Sequence, residues 1–244
     1  MAEHDPTAYG RRIADEYDEH YEGYWDTEGC VARLAELAGD GPVLELGVGT
    51  GRLALPLADR GLDVHGLDSS EDMLDLLRAK PGADRLTLRT GDFAEIDVPG
   101  TFSLVVLAIN TIFALPDQDT QVRCFEAAGR RLEPGGRFAV EAWIPQMERF
   151  TTGSAVNVRI LRDDRVSLDI ARIDPVTQRM ETTQVSFTDG NVRLYPANHR
   201  YAWPSELDLM ARLAGMELES REEDWRGTPF TAHSTTHVSV YRKP

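Results

Sequence analysis

Lysine is almost missing from this chain of 244 residues; Lys80 and Lys243 are the only two, and arginine carries the rest of the positive charge. With a formal net charge of −15, the chain lacks the clustered Lys and Arg that a nucleic-acid phosphate surface needs, which excludes that class of partner. Cysteine is equally scarce. Cys30 and Cys124 have no neighbours at metal-ligand spacing, so they are expected to be reduced and buried, with no metal site and a cytoplasmic setting. Long apolar runs are also absent. The longest, Phe102 to Leu115, is broken by Asn110 and Thr111 and is too short to span a bilayer. The N-terminus is acidic and polar, unlike a signal peptide. No repeat or low-complexity tract is visible.

What the chain does have is a concentrated glycine turn, Glu45-Leu46-Gly47-Val48-Gly49-Thr50-Gly51. The apolar Pro42-Val43-Leu44 in front of it predicts a buried strand, and Arg52 to Arg60 behind it predicts a helix. Glycines let the backbone turn sharply and let a ligand approach closely, because no Cβ intervenes. A helix N-terminus beyond them adds free N–H groups. The combination suits a nucleotide-like ligand.

The order of elements fits that site. Residues 7 to 38 read as two helical pieces, with Tyr9, Ile13, Tyr17 and Tyr21 at steps of four, then Tyr24 and Trp25, then a second helix after Gly29. The aromatic stripe is either core packing or a lid. Asp63 to Leu67 predicts a second strand with Asp68 at its end, and Ser69 is the expected cap of a helix from about Glu71. Leu86 to Thr90 predicts a third strand, followed by Gly91-Asp92-Phe93. Phe102 to Ile109 predicts a central parallel strand. A helix from Gln118 to Leu132 is expected to break at Glu133-Pro134-Gly135-Gly136, and Arg137 to Trp143 is the fifth strand. This alternation specifies a doubly wound α/β sheet, whose ligands bind at the carboxyl ends of the strands. From Val156 to Tyr201 helical periodicity disappears and apolar residues alternate between turn signals, so an antiparallel meander of three or four strands is expected. A helix from Pro204 and a closing hairpin, Met216 to Trp225 with Thr235 to Arg242, complete a seven-stranded sheet. The expected parts are an N-terminal helical lid over 1–40, a core over 41–150 and 203–244, and a β insert over 151–202.

With these residues in place the chain resembles the class I S-adenosylmethionine-dependent methyltransferases. Glu45-x-Gly47-x-Gly49-x-Gly51 matches the family's first motif, Asp68 the acid after the second strand, Asp92-Phe93 the pair after the third, and Leu132-Glu133-Pro134-Gly135-Gly136 the turn before the fifth. The meander and Tyr21 are most similar to members that methylate amino sugars and other natural products, in which the small sheet caps the substrate or forms a dimer contact. The resemblance implies S-adenosyl-L-methionine as cofactor and a small-molecule oxygen or nitrogen acceptor, with a homodimer possible. It places the methionine part of the cofactor over Gly47, Gly49, Thr50 and Gly51. Glu45 then meets its amino group and Tyr21 its carboxylate. Asp68 meets the ribose hydroxyls. Asp92, Phe93, Ser69 and Met73 surround the adenine, and Ala108 and Asn110 floor the sulfonium. Tyr17, Tyr24, Trp25, Trp143, Arg200 and Trp225 are candidates for the acceptor pocket.

Each residue also has a plainer role available. Asp68 and Asp92 could cap turns at strand ends, Met73 could be core, Asn110 could cap the segment after the fourth strand, and Trp143 and Trp225 could simply pack. Methyl transfer rests mainly on alignment and water exclusion, and needs a base only when the nucleophile arrives protonated. His199 and then His20 are the candidates for that base. Ala108-Ile109-Asn110-Thr111 lacks the Asp/Asn-Pro-Pro-aromatic motif of nucleic-acid amine methylases. A nicotinamide dehydrogenase is disfavoured by glycines spaced evenly by two. A non-catalytic protein that binds the same cofactor stays open as the alternative.

Overall fold

The computed structural model describes residues 25–150, 152–188 and 190–244. The aromatic stripe of Tyr9, Ile13, Tyr17 and Tyr21, together with His20 and Tyr24, lies outside the described residues. Trp25 is the first residue inside them.

A seven-stranded sheet organises the molecule. Its strands are β1 (Val43–Leu46), β2 (Val64–Asp68), β3 (Thr87–Thr90), β4 (Phe102–Leu107), β5 (Leu132–Trp143), β10 (Glu217–Glu222) and β11 (Thr236–Arg242), in the order β10-β11-β5-β4-β1-β2-β3. The pairings among β1 to β5 are parallel, while β11 runs antiparallel to both β5 and β10. Every residue of β1 and β4 is buried, as a central strand covered on both faces requires. Leu104 and Val106 pack with α1 (Thr27–Ala38), α2 (Ala54–Asp59) and α3 (Glu71–Arg78) through Leu34, Leu57 and Leu77. Val105 and Leu107 face the other way, towards Phe125 of α4 (Gln118–Arg131) and Leu207 of α5 (Pro204–Leu213).

Three local expectations are corrected. The α1 helix begins at Thr27, with the Asp26 carboxylate accepting the Gly29 N–H, so Gly29 sits in the first turn and not ahead of it. A Cβ on Gly29 would come within 2.2 Å of that carboxylate. The Asp68 carboxylate accepts the Ser70 N–H, which puts Ser70, not Ser69, in position to cap α3 through Met73 N. Finally, Glu133-Pro134-Gly135-Gly136 belongs to β5, which starts at Leu132 and shifts register against β4 between Phe102 and Leu104. The positive φ of 81° at Gly135 allows that shift.

A second sheet of four antiparallel strands, β6 (Ser154–Leu161), β7 (Arg165–Asp174), β8 (Arg179–Thr188) and β9 (Asn191–Arg200), lies in sequence between β5 and α5. Its junction with the main body is polar. Arg200, at the end of β9, is 5% exposed and donates to Gln121 of α4, to Gln178 and to Glu206 of α5. Gln121 returns bonds to the carbonyls of Arg200 and Ile112, and Gln178 also donates to Glu206. A guanidinium buried this deeply is tolerated only because its donors are matched. Glu206→Ala leaves that cation without its counter-charge. We expect a loss of about 3 kcal/mol in urea unfolding; a loss under ~1 kcal/mol would show that the ion pair is not what holds this junction.

Candidate active site

The glycine turn leaves β1 with three left-handed glycines, Gly47 at φ 72°, Gly49 at 53° and Gly51 at 85°. Two of them are also places of close approach. A Cβ on Gly47 would lie 2.7 Å from Thr111 Cγ2, and one on Gly51 2.3 Å from Leu77 Cδ1. Gly49 differs, because a Cβ there would meet nothing within 4 Å. It opens onto space that a ligand can fill. The turn is pinned from β2: Gly47 N and Val48 N donate to Leu67 O, and Gly49 N donates to Asp68 Oδ2 at 2.8 Å. Lys80, one of the two lysines, donates to Thr50 O at 2.8 Å.

Asp68 therefore does two things. Its Oδ2 holds Gly49 and its Oδ1 holds Ser70 N at 2.9 Å, and Ser69 adds a third backbone bond, so about one of the carboxylate's four lone-pair sites is left for a ligand hydroxyl. Burial raises its pKa against the backbone bonds from Ser70, Gly49 and Ser69. Glu45 is 5% exposed, and its Oε2 is buried with no hydrogen-bond partner among the described residues. Burial pushes its carboxyl up to about 8, with Arg52 pulling the other way and Asp68 adding to the rise. A buried carboxylate with an unanswered oxygen is a receptor for a cation.

The end of β4 carries the second unusual feature. Ile109 and Asn110 are consecutive non-glycine residues in the left-handed region, at φ 48° and 60°. Each such residue costs of order 1–3 kcal/mol, and the surrounding bonds must over-determine it. Ile109 N donates to Glu141 Oε2 at 2.9 Å, Asn110 N donates to Glu141 O, and Asn110 Oδ1 accepts from Trp143 N at 2.6 Å. Thr111 Oγ1 donates to Ala108 O at 2.6 Å. Asn110 stands before the short turn Thr111–Ala114, but its side chain makes no capping bond there and holds the end of β5 instead.

The other residues named from the sequence fall as follows. Asp92 is exposed, and its Oδ1 accepts Ala94 N at 2.8 Å; Phe93 beside it is half-buried, and Met73 is 4% exposed within the core. Ser69 and Trp25 are half-buried. The half-buried Trp143 packs edge-on against Phe113, with ring centroids 5.0 Å apart, and tilts against Tyr201. Trp225 is 7% exposed in the α1-side core, and its indole Nε1 has no hydrogen-bond partner among the described residues. Arg200 is committed to Gln121, Gln178 and Glu206. Burial lowers His199 to about 4, and its Nδ1 has no partner among the described residues. Tyr17, Tyr21, Tyr24 and His20 lie outside the described residues. Glu141 was missed by sequence reasoning; its only signal was a lone acid in the apolar strand Phe138 to Trp143.

Residues 43–136 match a family described as a methyltransferase domain. The structure superimposes on the CcbJ methyltransferase of Streptomyces caelestis with a TM-score of 0.91, at 43% identity, over 98% of this chain and 99% of that one. The chain belongs to the S-adenosylmethionine-dependent methyltransferases. It is also 28% identical, over 98% of its length and 99% of the relative's, to a cypemycin N-terminal methyltransferase of a Streptomyces species. The fold extends further, to the amino pentose methyltransferase CalS10 of Micromonospora echinaspora, at a TM-score of 0.69 and 22% identity over 93% and 96% of the two chains.

The residues present fit the cofactor. Open space at Gly49 and the unanswered oxygen of Glu45 suit the backbone-sized and cationic ends of its methionine part. With its pKa at about 8, Glu45 is mostly protonated in the free protein at pH 7. A cofactor ammonium beside it favours ionisation, so binding should expel a proton. Calorimetric titration with S-adenosylmethionine at pH 7 in buffers of different ionisation enthalpy should show release of up to about one proton, lost in Glu45→Gln. A heat independent of the buffer would exclude the cation-receptor role.

Proposed function

We propose that this methyltransferase acts on an amine nitrogen of a small natural product, a peptide terminus included. The observation that carries the proposal is the buried Glu45 oxygen, without a partner among the described residues, together with the open face of Gly49, which gives the methionine end of the donor a fixed seat. S-adenosylmethionine supplies a methyl group on a cationic sulfur. The chain's own work is then to hold the donor, exclude water and align the acceptor. Glu45 receives the donor amino group, Asp68 the ribose hydroxyls, and Asp92 with Phe93 the adenine edge. Ala108 and Asn110 form the floor under the reacting centre.

Nitrogen is favoured over oxygen on basicity. A neutral amine needs no base before it attacks, and its proton can leave to water afterwards. A hydroxyl needs help, and His199, with a pKa near 4, is too weak a base to hold a proton taken from one. The 28%-identical relative is named for an N-terminal, hence amine, substrate. Trp143, at the edge of the kink, is assigned to the acceptor wall, and the β6–β9 sheet to capping that side. Incubating the full chain with S-adenosylmethionine and a library of amines, alcohols and carboxylates tests the reading by mass spectrometry. Methyl gain confined to amines is the expected result, and gain on alcohols alone would refute it. Asp68→Ala should weaken binding of S-adenosylmethionine at least about tenfold, ~1.4 kcal/mol; unchanged affinity would remove the ribose role.

The same sheet supports a homodimer. Val156, Val158, Leu161, Ile170, Phe187, Val192 and Leu194 are all exposed. The register aligns Val158 with Leu168, Val185 and Leu194, and Leu161 with Val166, Phe187 and Val192, so these residues share one face. An exposed apolar face of this extent marks a protein contact. Sedimentation should find a dimer in the wild type and a folded monomer in the double variant Val158→Lys, Leu194→Lys. A wild type that stays monomeric at high protein concentration would dispose of the idea.

A further inference from the structure

Glu141 is out of character with its strand. Phe138, Ala139, Val140 and Ala142 around it are fully buried, and Glu141 itself is half-buried. Its visible task is to accept the Ile109 N–H through Oε2. A glutamine, an asparagine or a threonine could accept one backbone N–H without the cost of taking a full charge out of water. The charge therefore calls for an explanation beyond the kink.

Its neighbours suggest one. Glu141 comes from the end of β5, Glu45 from the end of β1, and the buried Cys30 from the first turns of α1. The Cys30 thiol is pushed up, first by burial, then by Glu141, with Glu45 and Asp26 adding to it and Arg52 opposing. Two carboxylates from different strands thus act on one buried point, and among the described residues Arg52 offsets them. Glu45 already answers the amino group of the donor. That leaves Glu141, bonded between Ala108 and Asn110 on the floor assigned to the sulfonium.

We propose that Glu141 supplies the negative charge that matches the cationic sulfur of the methyl donor, so that the site favours the charged donor over its neutral demethylated product. The proposal rests on the donor placement given above. The Ile109–Asn110 kink is then the device that fixes this carboxylate: Ile109 N holds the side chain, Asn110 N holds the Glu141 carbonyl, and the Asn110 side chain holds Trp143 two residues on. Once the methyl group has left, the sulfur is uncharged and the attraction disappears, which helps the product exchange for fresh donor.

Calorimetric affinities of the full chain for S-adenosylmethionine and S-adenosylhomocysteine test this. Glu141→Gln keeps an oxygen for Ile109 N and removes only the charge. The ratio of donor to product affinity should fall five- to tenfold, with affinity for S-adenosylhomocysteine within twofold of wild type. Glu141→Asp keeps the charge, so the ratio should stay within twofold even if both affinities drop. Equal losses for the two ligands in Glu141→Gln would mean a purely structural pin and overturn the proposal, as would Glu141→Asp changing the ratio as much as Glu141→Gln does. A measurement free of variants uses sinefungin, which carries an ammonium where the donor carries its methylsulfonium. The wild type should bind it at least as tightly as S-adenosylhomocysteine, and tenfold weaker binding would also overturn the proposal. If the wild type binds none of the three, the donor site itself falls; if it binds them and only the variant ratios fail, the charge role alone falls.

Discussion

The carboxyl ends of the central strands gather carboxyl groups where little solvent reaches, and much of the molecule is arranged around that fact. Glu45 is next to last in β1, Asp68 ends β2 and Glu141 lies near the end of β5. In the free protein the strain is visible: the Glu45 carboxyl is held up near 8, Asp68 is also raised, and one Glu45 oxygen has no partner among the described residues. A fold does not keep such a group for its own stability, since an apolar residue of the same size costs less. It fits the proposed site, in which the cationic end of the methyl donor answers it. The glycine turn complements the acids, because it lets a ligand come down to the backbone at the one place where these charges converge.

The scaffold around the site uses its few cations sparingly. Lys80 donates to Thr50 O in the glycine turn, and Lys243 donates to the carbonyls of Gly129 and Leu132 where α4 gives way to β5. Both lysines thus donate to backbone carbonyls. Arg200 is committed to side chains at the junction of the two sheets. Its network with Gln121, Gln178 and Glu206 fixes β9 against α4 and α5, and so fixes where the small sheet stands relative to Trp143.

Much of this was legible beforehand, for physical reasons that differ from residue to residue. The continuous apolar run Phe102 to Leu107 allowed only a covered parallel strand, and it is one. The even glycine spacing marks a tight turn because glycine takes up left-handed backbone at no steric cost, and Asp68 at the end of β2 does bond into that turn. The misses fall where two local signals compete. Ser69 and Ser70 are equally good caps by type, and only the bond from Ser70 N to Asp68 decides between them. Pro134-Gly135-Gly136 has turn composition, yet pairing to β4 and β11 extends β5 through it. Arg200 had the residue type of a substrate contact, but Gln121 and Gln178 are distant in sequence, so its saturation could not be foreseen. Glu141 gave the weakest signal of all, one acid in an apolar strand.

That acid ties the two halves of the reaction together. The kink at Ile109–Asn110 is costly for a β-branched residue followed by another non-glycine residue, and relaxed backbone could have left β4 in a conventional turn. What the kink provides is a connection. Through Glu141 and Asn110 it links the floor proposed for the donor to the backbone of Trp143, whose ring packs against Phe113 and Tyr201. Tyr201 follows Arg200 directly, so the wall proposed for the acceptor is fastened to the same polar junction that seats the small sheet. On the proposed placement, alignment of donor and acceptor, the main requirement of methyl transfer, rests on side chains whose polar atoms are tied to the main chain of β4 and β5.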